Sequence, residues 1–193
     1  MKVGIFGGSF NPIHLGHVGI ARYLLQTEQV EQVWLMVSPL NPLKRDMADT
    51  LLDTAVRLKM AKLATADIPN IIVSDFETHL PLPSYTYNTL QALGRQFPEH
   101  EFALVIGEDN LQRFSQWYRA DDIKAQYDII TYPRRVQGKS VEADSSLHLF
   151  DVSSTEIRKA IGEGRWEEAG AWLHPKVISY IKRHGLYQHE KRE

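Results

Sequence analysis

The chain has 193 residues, of which 43% are hydrophobic and 24% are charged, so it is long enough to bury a substantial core. Its formal net charge of −2 provides no overall attraction to nucleic acid or to an anionic membrane, and we expect neither as a partner. The absence of cysteine excludes disulfides, zinc–thiolate sites, iron–sulfur clusters and a cysteine nucleophile. We find no signal peptide and no membrane-length apolar run, so we expect a cytoplasmic protein.

Short apolar runs alternate with amphipathic stretches along most of the chain. The expected strands are residues 3–6, 33–37, 71–73, 102–106, 128–131 and 147–150, and the expected helices are 15–26, 50–64 and 86–97. Proline-containing or polar segments at 40–48, 75–84 and 133–146 are expected to be connections. From Thr155 onward the pattern predicts two or three short helices, the last of which has Pro175 in its first turn.

Strands that alternate with helices indicate right-handed crossovers and therefore an α/β fold with a doubly wound, mostly parallel, Rossmann-like sheet. We expect a single domain, residues 1–193, with 151–193 as a small C-terminal helical portion packed on it. The oligomeric state stays open, a homo-oligomer included. Ligands of such sheets bind at the carboxyl ends of the strands, so the places to look are after Phe6, Val37 and Ile106.

The segment after the first expected strand combines glycines with histidines. It reads Gly7-Gly8-Ser9-Phe10-Asn11-Pro12-Ile13-His14-Leu15-Gly16-His17 and leads into the first helix. Glycines let a backbone approach a ligand closely, and a helix N-terminus offers N–H groups and partial positive charge to phosphate. Two imidazoles three residues apart share one side of the opening turn, where they can grip an anion whose charge grows during a reaction. A tight turn with two surface histidines is the plain alternative.

A second pattern suited to phosphate lies near the C-terminus, where Val152–Arg158 closes an expected strand and opens a helix. Ser153 and Glu156 have the spacing of a capping box, which is a routine helix start. The same geometry presents hydroxyl and N–H groups to an anion, and Arg158 can bind phosphate oxygens through two parallel donors. Capping and phosphate binding can therefore coexist.

Both segments resemble elements of the nucleotidyltransferase superfamily with the HxGH motif: residues 7–17 its signature, and residues 153–158 its Ser-x-Thr-x-x-Arg element. That superfamily includes adenylyltransferases for nicotinate mononucleotide and phosphopantetheine, and glycerol-3-phosphate cytidylyltransferases. The resemblance implies a Rossmann-like fold and direct nucleotidyl transfer. The residues it assigns to ATP are Gly7, Gly8, Ser9, Phe10, His14, His17, Gly107, Asp109, Ser154, Thr155 and Arg158.

Further stretches resemble bacterial nicotinate-mononucleotide adenylyltransferases in particular, so the resemblance spans nearly the whole chain. They are Pro83–Leu90, Ile106–Asp109, Phe114–Tyr118 and the C-terminal residues 173–187. An aromatic face can stack on a pyridine ring, and backbone N–H groups can receive a nicotinate carboxylate. The residues expected to bind the mononucleotide are Lys44, Tyr85, Thr86, Asp109, Trp117 and Tyr118. Core packing is the alternative for Trp117 and Tyr118.

One position departs from this family pattern. Many members carry Pro-Pro-His-Lys after the second strand, whereas this chain reads Asn41-Pro42-Leu43-Lys44. Lys44 matches the lysine of the family pattern and is expected to contact phosphate. Leu43 occupies the position of the family histidine. We interpret the change as a subfamily difference, because the other elements are intact.

The resemblance implies that ATP and nicotinate mononucleotide react to give nicotinate adenine dinucleotide and pyrophosphate. The expected catalytic residues are His14, His17, Lys44 and Arg158. We expect no metal site in the protein, and Mg²⁺ to arrive with ATP, because no dedicated carboxylate cage is visible in the sequence.

Other functions explain fewer features of the sequence. Nicotinamide mononucleotide as the main acceptor, and a non-catalytic nucleotide sensor of the same fold, both stay open. A phosphopantetheine or cytidylyl acceptor would leave Ser84–Thr86 and Trp117–Tyr118 unexplained. An NAD-dependent dehydrogenase conflicts with the missing Gly-x-Gly-x-x-Gly fingerprint.

Overall fold

A computed structural model describes residues 1–39, 51–132 and 152–188. The strands in these ranges are β1 (Lys2–Gly8), β2 (Gln32–Val37), β3 (Ile71–Ser74), β4 (Glu101–Gly107) and β5 (Asp128–Tyr132). The α-helices are α1 (Leu15–Gln26), α2 (Thr54–Thr65), α3 (Thr86–Gln96), α4 (Glu108–Leu111), α5 (Ala120–Gln126), α6 (Ser154–Gly162), α7 (Trp166–Gly170) and α8 (Pro175–Arg183). Short 3₁₀ turns occupy Phe76–His79 and Phe114–Gln116.

The described strands form one parallel sheet in the order β3-β2-β1-β4-β5. The register places Phe6 of the central strand β1 beside Leu35 of β2 and Val105 of β4. The chain runs outward from β1 to β3 and then crosses to the other side of β1 before forming β4. Strand order therefore reverses between β1 and β4, which opens a crevice at their carboxyl ends. The expected Rossmann-like parallel sheet is confirmed.

The sheet separates two hydrophobic clusters, which explains why its strands read as nearly continuous apolar runs. Phe6 of β1 belongs to one cluster with residues from α1, α2 and the C-terminal helices, such as Leu24, Met60 and Val177. Val3 and Ile5 belong to the other cluster with residues of α3 and α5, such as Leu90 and Ile123. The C-terminal helices thus contribute to the same core as α1. The single-domain organisation stays a prediction.

The predicted starts of two C-terminal helices are confirmed by their capping contacts. Ser153 caps α6, and the Glu156 carboxylate accepts from the Ser153 backbone N–H at 2.9 Å, which completes the expected capping box. α8 begins at Pro175. The predicted start of α2 at residue 50 is wrong, because Asp53 is the N-cap and accepts from the Ala55 N–H at 2.7 Å.

Other differences concern short elements. The connection predicted as extended at 75–84 contains the 3₁₀ turn Phe76–His79, and α4 and α5 were not predicted. α4 has 4 residues and α5 has 7, too few for a hydrophobic period to be recognised in the sequence. The predicted strand 147–150 and the predicted connections 40–48 and 133–146 lie outside the described residues. None of the described helices combines the length and the apolar character that crossing a bilayer requires.

Candidate active site

Residues 7–17, the glycine–histidine loop, leave the carboxyl end of β1 at the crevice. Gly7 is exposed, and a Cβ atom there would meet nothing within 4 Å. A Cβ atom at Gly8 would instead lie 2.9 Å from the ring of Phe10. A ligand can therefore approach the backbone at Gly7, whereas packing inside the protein requires glycine at position 8.

Phe10 supports one of the two histidines of this loop. Its backbone has φ = 46°, and its ring is 2% exposed. The ring packs edge-on against Phe6 at 5.8 Å and against His17 at 4.9 Å between centroids. Phe10 was expected to bind ATP. Its ring is buried, so it can influence a ligand indirectly, by holding the imidazole of His17 in place.

His14 and His17 lie at the start of α1 with their ring centroids 3.7 Å apart and their planes inclined by 31°. His14 is the N-cap residue, and its backbone N–H donates to Nδ1 of His17 at 3.2 Å. A ring nitrogen that accepts a hydrogen bond carries no proton, so the proton of neutral His17 lies on Nε2. The two imidazoles share one side of the helix start, as their spacing predicted.

The N-terminus of α1 is partly occupied by the protein itself. The Leu15 N–H donates to the Trp172 carbonyl at 2.8 Å, and the His17 N–H donates to the His14 carbonyl at 3.0 Å. The expectation of unpaired N–H groups at this helix start is therefore wrong for these two residues. The acceptor of the Leu15 N–H is the carbonyl of Trp172, in the C-terminal helical portion. A local sequence pattern does not reveal such a long-range contact.

The second predicted phosphate element packs directly on the glycine–histidine loop. Ser154 Oγ donates to the Pro12 carbonyl at 2.9 Å across 142 residues of sequence. Arg158 Nη1 donates to the Asn11 carbonyl at 2.7 Å, and its Nη2 donates to Thr155 Oγ1 at 3.2 Å. Burial lowers the pKa of Arg158, but a guanidinium stays protonated near neutral pH. A positive charge is thus held against Asn11 of the glycine–histidine loop.

Tyr187 was not among the predicted site residues, yet it anchors the same loop. Its hydroxyl donates to Oδ1 of Asn11 at 2.8 Å, while the Asn11 carbonyl accepts from Arg158. Asn11 is 4% exposed, and burial raises the pKa of Tyr187 far above its ordinary value. No periodic pattern links positions 176 residues apart, so only the fold brings this tyrosine to the loop.

Gly107 and Asp109 lie on the other side of the crevice, at the end of β4 and the start of α4. A Cβ atom at position 107 would lie 2.5 Å from Oδ1 of Asp109 and 3.3 Å from the ring of Tyr132. Only glycine therefore lets this carboxylate fold back over the strand end. The sheet places the pair next to the glycine–histidine loop, because β1 and β4 are neighbours.

We define the aromatic rim as Tyr85, Tyr87, Trp117 and Tyr118, of which Tyr85, Trp117 and Tyr118 are predicted to bind the mononucleotide. The Tyr85 and Tyr118 rings lie 4.8 Å apart and Tyr87 lies 6.3 Å from Tyr118. Tyr118 is 49% exposed, whereas Trp117 is half-buried with its ring 5.1 Å from Phe114. Both readings of Trp117, packing and stacking, are compatible with this position.

Thr86 and Lys44 are two further predicted contacts of the mononucleotide. Thr86 is the first residue of α3, so its backbone N–H has no acceptor within the helix and is suited to a carboxylate. Lys44 lies outside the described residues.

Arg57 is a buried residue of the site region that the sequence analysis missed. It is 0% exposed, and its guanidinium donates to the Leu52, Ser9 and Ser38 carbonyls at 2.7, 2.7 and 2.8 Å. It also donates to Thr54 Oγ1 at 2.8 Å. Burial lowers its pKa, and its acceptors are neutral oxygens. An arginine within an amphipathic helix pattern ordinarily marks the solvent face, so only the tertiary structure discloses this role.

Comparison with known proteins shows the family to which the chain belongs. Residues 5–160 match the cytidylyltransferase-like family. A Bacteroides thetaiotaomicron protein named "Probable nicotinate-nucleotide adenylyltransferase" is 43% identical over 188 residues, which cover 94% of this chain and 91% of that protein. A Flavobacterium johnsoniae protein of the same name is 40% identical over 196 residues, covering 97% and 100% of the two chains.

Solved structures agree with these relatives. A Vibrio parahaemolyticus structure with an equally provisional nicotinate-nucleotide adenylyltransferase name superposes with a TM-score of 0.74 at 26% identity, over 97% of this chain and 95% of that chain. Plasmodium falciparum nicotinic acid mononucleotide adenylyltransferase, complexed with NaAD, shares the fold with a TM-score of 0.74 at 18% identity, over 96% and 97%. The chain belongs to the cytidylyltransferase-like family and, within it, to the nicotinate-nucleotide adenylyltransferases.

Proposed function

We propose that this protein transfers the adenylyl group of ATP to nicotinate mononucleotide and thereby makes nicotinate adenine dinucleotide and pyrophosphate for NAD biosynthesis. One observation carries the proposal. His14 and His17 lie 3.7 Å apart at the strand-reversal crevice, and Arg158 is bonded to Asn11 of the same loop. This cluster of cationic or donor groups suits a reaction in which negative charge grows on phosphate.

The reaction needs alignment more than acid–base chemistry. An oxygen of the acceptor's 5′-phosphate bonds to the α-phosphorus of ATP. The bond from that phosphorus to the bridging oxygen of the β-phosphate breaks, and pyrophosphate leaves with the electron pair. The attacking phosphate is already anionic near pH 7, so a strong general base is unnecessary. Catalysis then consists of in-line positioning and stabilisation of charge on the α-phosphate and the leaving group.

In this scheme the glycine–histidine loop binds the triphosphate. The open space above Gly7 admits a phosphate group, and Nε2 of His17 donates to an α- or β-phosphate oxygen. His14 contacts the same α- and β-phosphate region as His17. The positive charge of Arg158 stabilises the departing pyrophosphate. We assign Lys44 to the same task from the family resemblance.

The aromatic rim and the start of α3 bind the acceptor. The indole of Trp117 stacks on the pyridine ring, and Tyr118 borders the same pocket. The Thr86 N–H, without an acceptor inside α3, receives the nicotinate carboxylate together with donors near Tyr85. Asp109 accepts a hydrogen bond from a ribose hydroxyl. The acid is preferred over the amide, because a carboxylate accepts more strongly from these N–H groups.

A divalent cation accompanies ATP as part of the substrate, and we propose Mg²⁺ for this role. Within the described ranges, His, Asp and Glu side chains form no group of three or more that could hold a metal ion. Mg²⁺ typically binds through substrate phosphates and water molecules, so the triphosphate itself can carry the cation. The cation neutralises charge on the phosphates.

The proposal is tested by incubating the protein with Mg²⁺-ATP and either nicotinate or nicotinamide mononucleotide, and by quantifying pyrophosphate and dinucleotide. Strong preference for the acid supports both the activity and the carboxylate contacts near Tyr85 and Thr86. Equal use of the two acceptors keeps the adenylyltransferase but contradicts those contacts. ATP binding without turnover of either acceptor contradicts the activity and favours a nucleotide sensor.

A further inference from the structure

Three buried polar side chains, which we call the Glu77 bridge, connect the end of β2 to helix α3. They are Ser38, Glu77 and Thr89, and their exposed fractions are 8%, 7% and 1%. Thr89 Oγ1 donates to Oε1 of Glu77 at 2.9 Å, and the Ser38 hydroxyl donates to the same carboxylate. The bridge therefore joins the residue after β2 to helix α3 through one buried carboxylate.

At one end the bridge is bonded to the glycine–histidine loop. The Ser38 N–H donates to the Gly8 carbonyl at 3.0 Å. The Ser38 carbonyl accepts from Arg57 Nη1 at 2.8 Å, and the same nitrogen donates to the Ser9 carbonyl at 2.7 Å. Ser38 thus cannot move without disturbing the loop that is proposed to bind ATP.

At the other end the bridge controls the first turn of α3. The Thr89 N–H donates to the Tyr85 carbonyl at 3.1 Å, and the Thr89 hydroxyl lies 3.4 Å from the same oxygen. Tyr85 is the N-cap of α3, and its ring packs on Tyr118. The contact of Thr89 with Glu77 therefore fixes the rotation of the turn that carries Tyr85 and Thr86.

Stability alone is a poor explanation for a carboxylate at this position. Burial raises the pKa of Glu77, which means that the surroundings disfavour its charged form, although both hydroxyl partners oppose the shift. A buried polar group costs free energy unless its hydrogen bonds are complete, and an apolar side chain of similar size would avoid the cost. The partners of Glu77 lie on two separate segments, the residue after β2 and helix α3, which points to a role in the mutual placement of these segments.

We propose that Glu77 is a positioning residue for the transfer reaction, which through Ser38 and Thr89 fixes the mononucleotide-binding turn of α3 relative to the glycine–histidine loop. The inference rests on the proposed function. Without the bridge, the acceptor phosphate is held less accurately against the α-phosphate of ATP. The effect falls on the acceptor, because the contacts of Gly8, Ser9 and Arg57 that shape the ATP side remain.

The first test compares Thr89→Val with a matched control, Thr65→Val. Thr65 is also buried, at 5% exposure, and its hydroxyl donates to the Ala61 carbonyl within α2 at 3.0 Å. We expect T89V to raise the KM for nicotinate mononucleotide about tenfold, with the KM for ATP unchanged. T65V should leave both constants at the wild-type values. Equal losses of thermal stability in the two variants, with no change in the acceptor KM, would overturn the proposal.

Conservative rescue and non-additivity sharpen this test. Thr89→Ser keeps the hydroxyl and should restore the acceptor KM, whereas a purely volumetric role for Thr89 predicts no rescue. Ser38→Ala should also raise the acceptor KM, and S38A/T89V should exceed the larger single effect only slightly, because both hydroxyls act through one carboxylate. Strictly additive effects contradict a shared role for Glu77.

A direct measurement separates this inference from the proposed function. Calorimetric titration with nicotinate mononucleotide, in the presence of a non-hydrolysable ATP analogue, reports acceptor binding without turnover. Weaker binding in T89V but not in T65V supports the bridge whether or not dinucleotide forms. Wild-type turnover combined with unchanged binding in T89V overturns the bridge and leaves the proposed function intact.

Discussion

The two sides of the crevice are held together in different ways. Residues 10–14 of the glycine–histidine loop are buried. The loop is cross-linked by residues far away in the sequence, since Asn11 accepts from Arg158 and Tyr187, and Pro12 accepts from Ser154. The aromatic rim relies on ring contacts of Tyr118 with Tyr85 and Tyr87, and Tyr118 is 49% exposed.

This contrast fits a division of labour between chemistry and recognition. A group that stabilises transition-state charge must already be in place, so rigid support from several elements benefits the loop. Recognition of a planar ring tolerates more adjustment, because stacking depends on area and approximate orientation. Substitutions on the loop side should therefore affect turnover or stability, and substitutions at the rim should affect acceptor binding.

Replacement of His17 should give the largest effect. His17→Ala removes the Nε2 donor, and we expect kcat to fall about 10²- to 10³-fold, as for the loss of one donor to a developing oxyanion. Steady-state kinetics at saturating substrates measure the loss. His79→Ala is the control, because that side chain is 72% exposed. Unchanged turnover in H17A would remove His17 from the mechanism.

Two adjacent glycines offer a comparison within the loop. Gly7→Ala adds a Cβ atom to open space, so the melting temperature should hold while kcat/KM for ATP falls about tenfold or more. Gly8→Ala forces the Phe10 ring to move and should cost about 1–3 kcal/mol of stability. Thermal unfolding and ATP kinetics on both variants measure the contrast. Wild-type ATP kinetics in G7A would show that the space above Gly7 is not used by the nucleotide.

At the rim, Trp117→Ala should raise the KM for nicotinate mononucleotide about tenfold and leave the KM for ATP unchanged, because the ring is proposed to stack only on the pyridine. Trp166→Ala is a suitable control, since that indole packs on the hydrophobic cluster of Phe6, on the other face of the sheet. Nζ of Lys182 lies 4.8 Å from the centroid of its ring. Equal loss of affinity for both substrates would contradict the assignment of Trp117.

The smallest expected effect concerns Tyr187. Tyr187→Phe removes the hydroxyl that donates to Asn11, and we expect a loss of about 0.5–1.5 kcal/mol in the free energy of unfolding. Denaturant unfolding measures it, with Tyr180→Phe on α8 as the control, whose ring packs on His184 at 4.4 Å. Identical losses in the two variants would mean that the bond to Asn11 contributes nothing specific.

Local patterns predicted the elements that have clear periodicity or capping chemistry. α1 matches its predicted bounds, and the Ser153–Glu156 capping box and Pro175 at the start of α8 are confirmed. α4, α5 and the 3₁₀ turns were missed because they are shorter than the window in which a hydrophobic period can be read.

The candidate site divides in the same manner. Its chemistry-bearing motifs were visible in the sequence, because glycines, histidines and a capping serine are needed at particular spacings along the chain. Their roles at ATP and at the mononucleotide stay predictions, and Lys44 lies outside the described residues. The supporting residues Arg57, Glu77 and Tyr187 were not identified, since their partners lie elsewhere in the chain.

The sequence by itself therefore determined the fold class, the family and the loop that begins the site, because strand–helix alternation and local motifs depend on neighbours along the chain. The tertiary structure alone decided which N–H groups at α1 are occupied, how the two imidazoles meet, and which buried residues join the end of β2 to helix α3. Those contacts depend on crossover packing that brings distant segments together, and short-range periodicity carries no information about it.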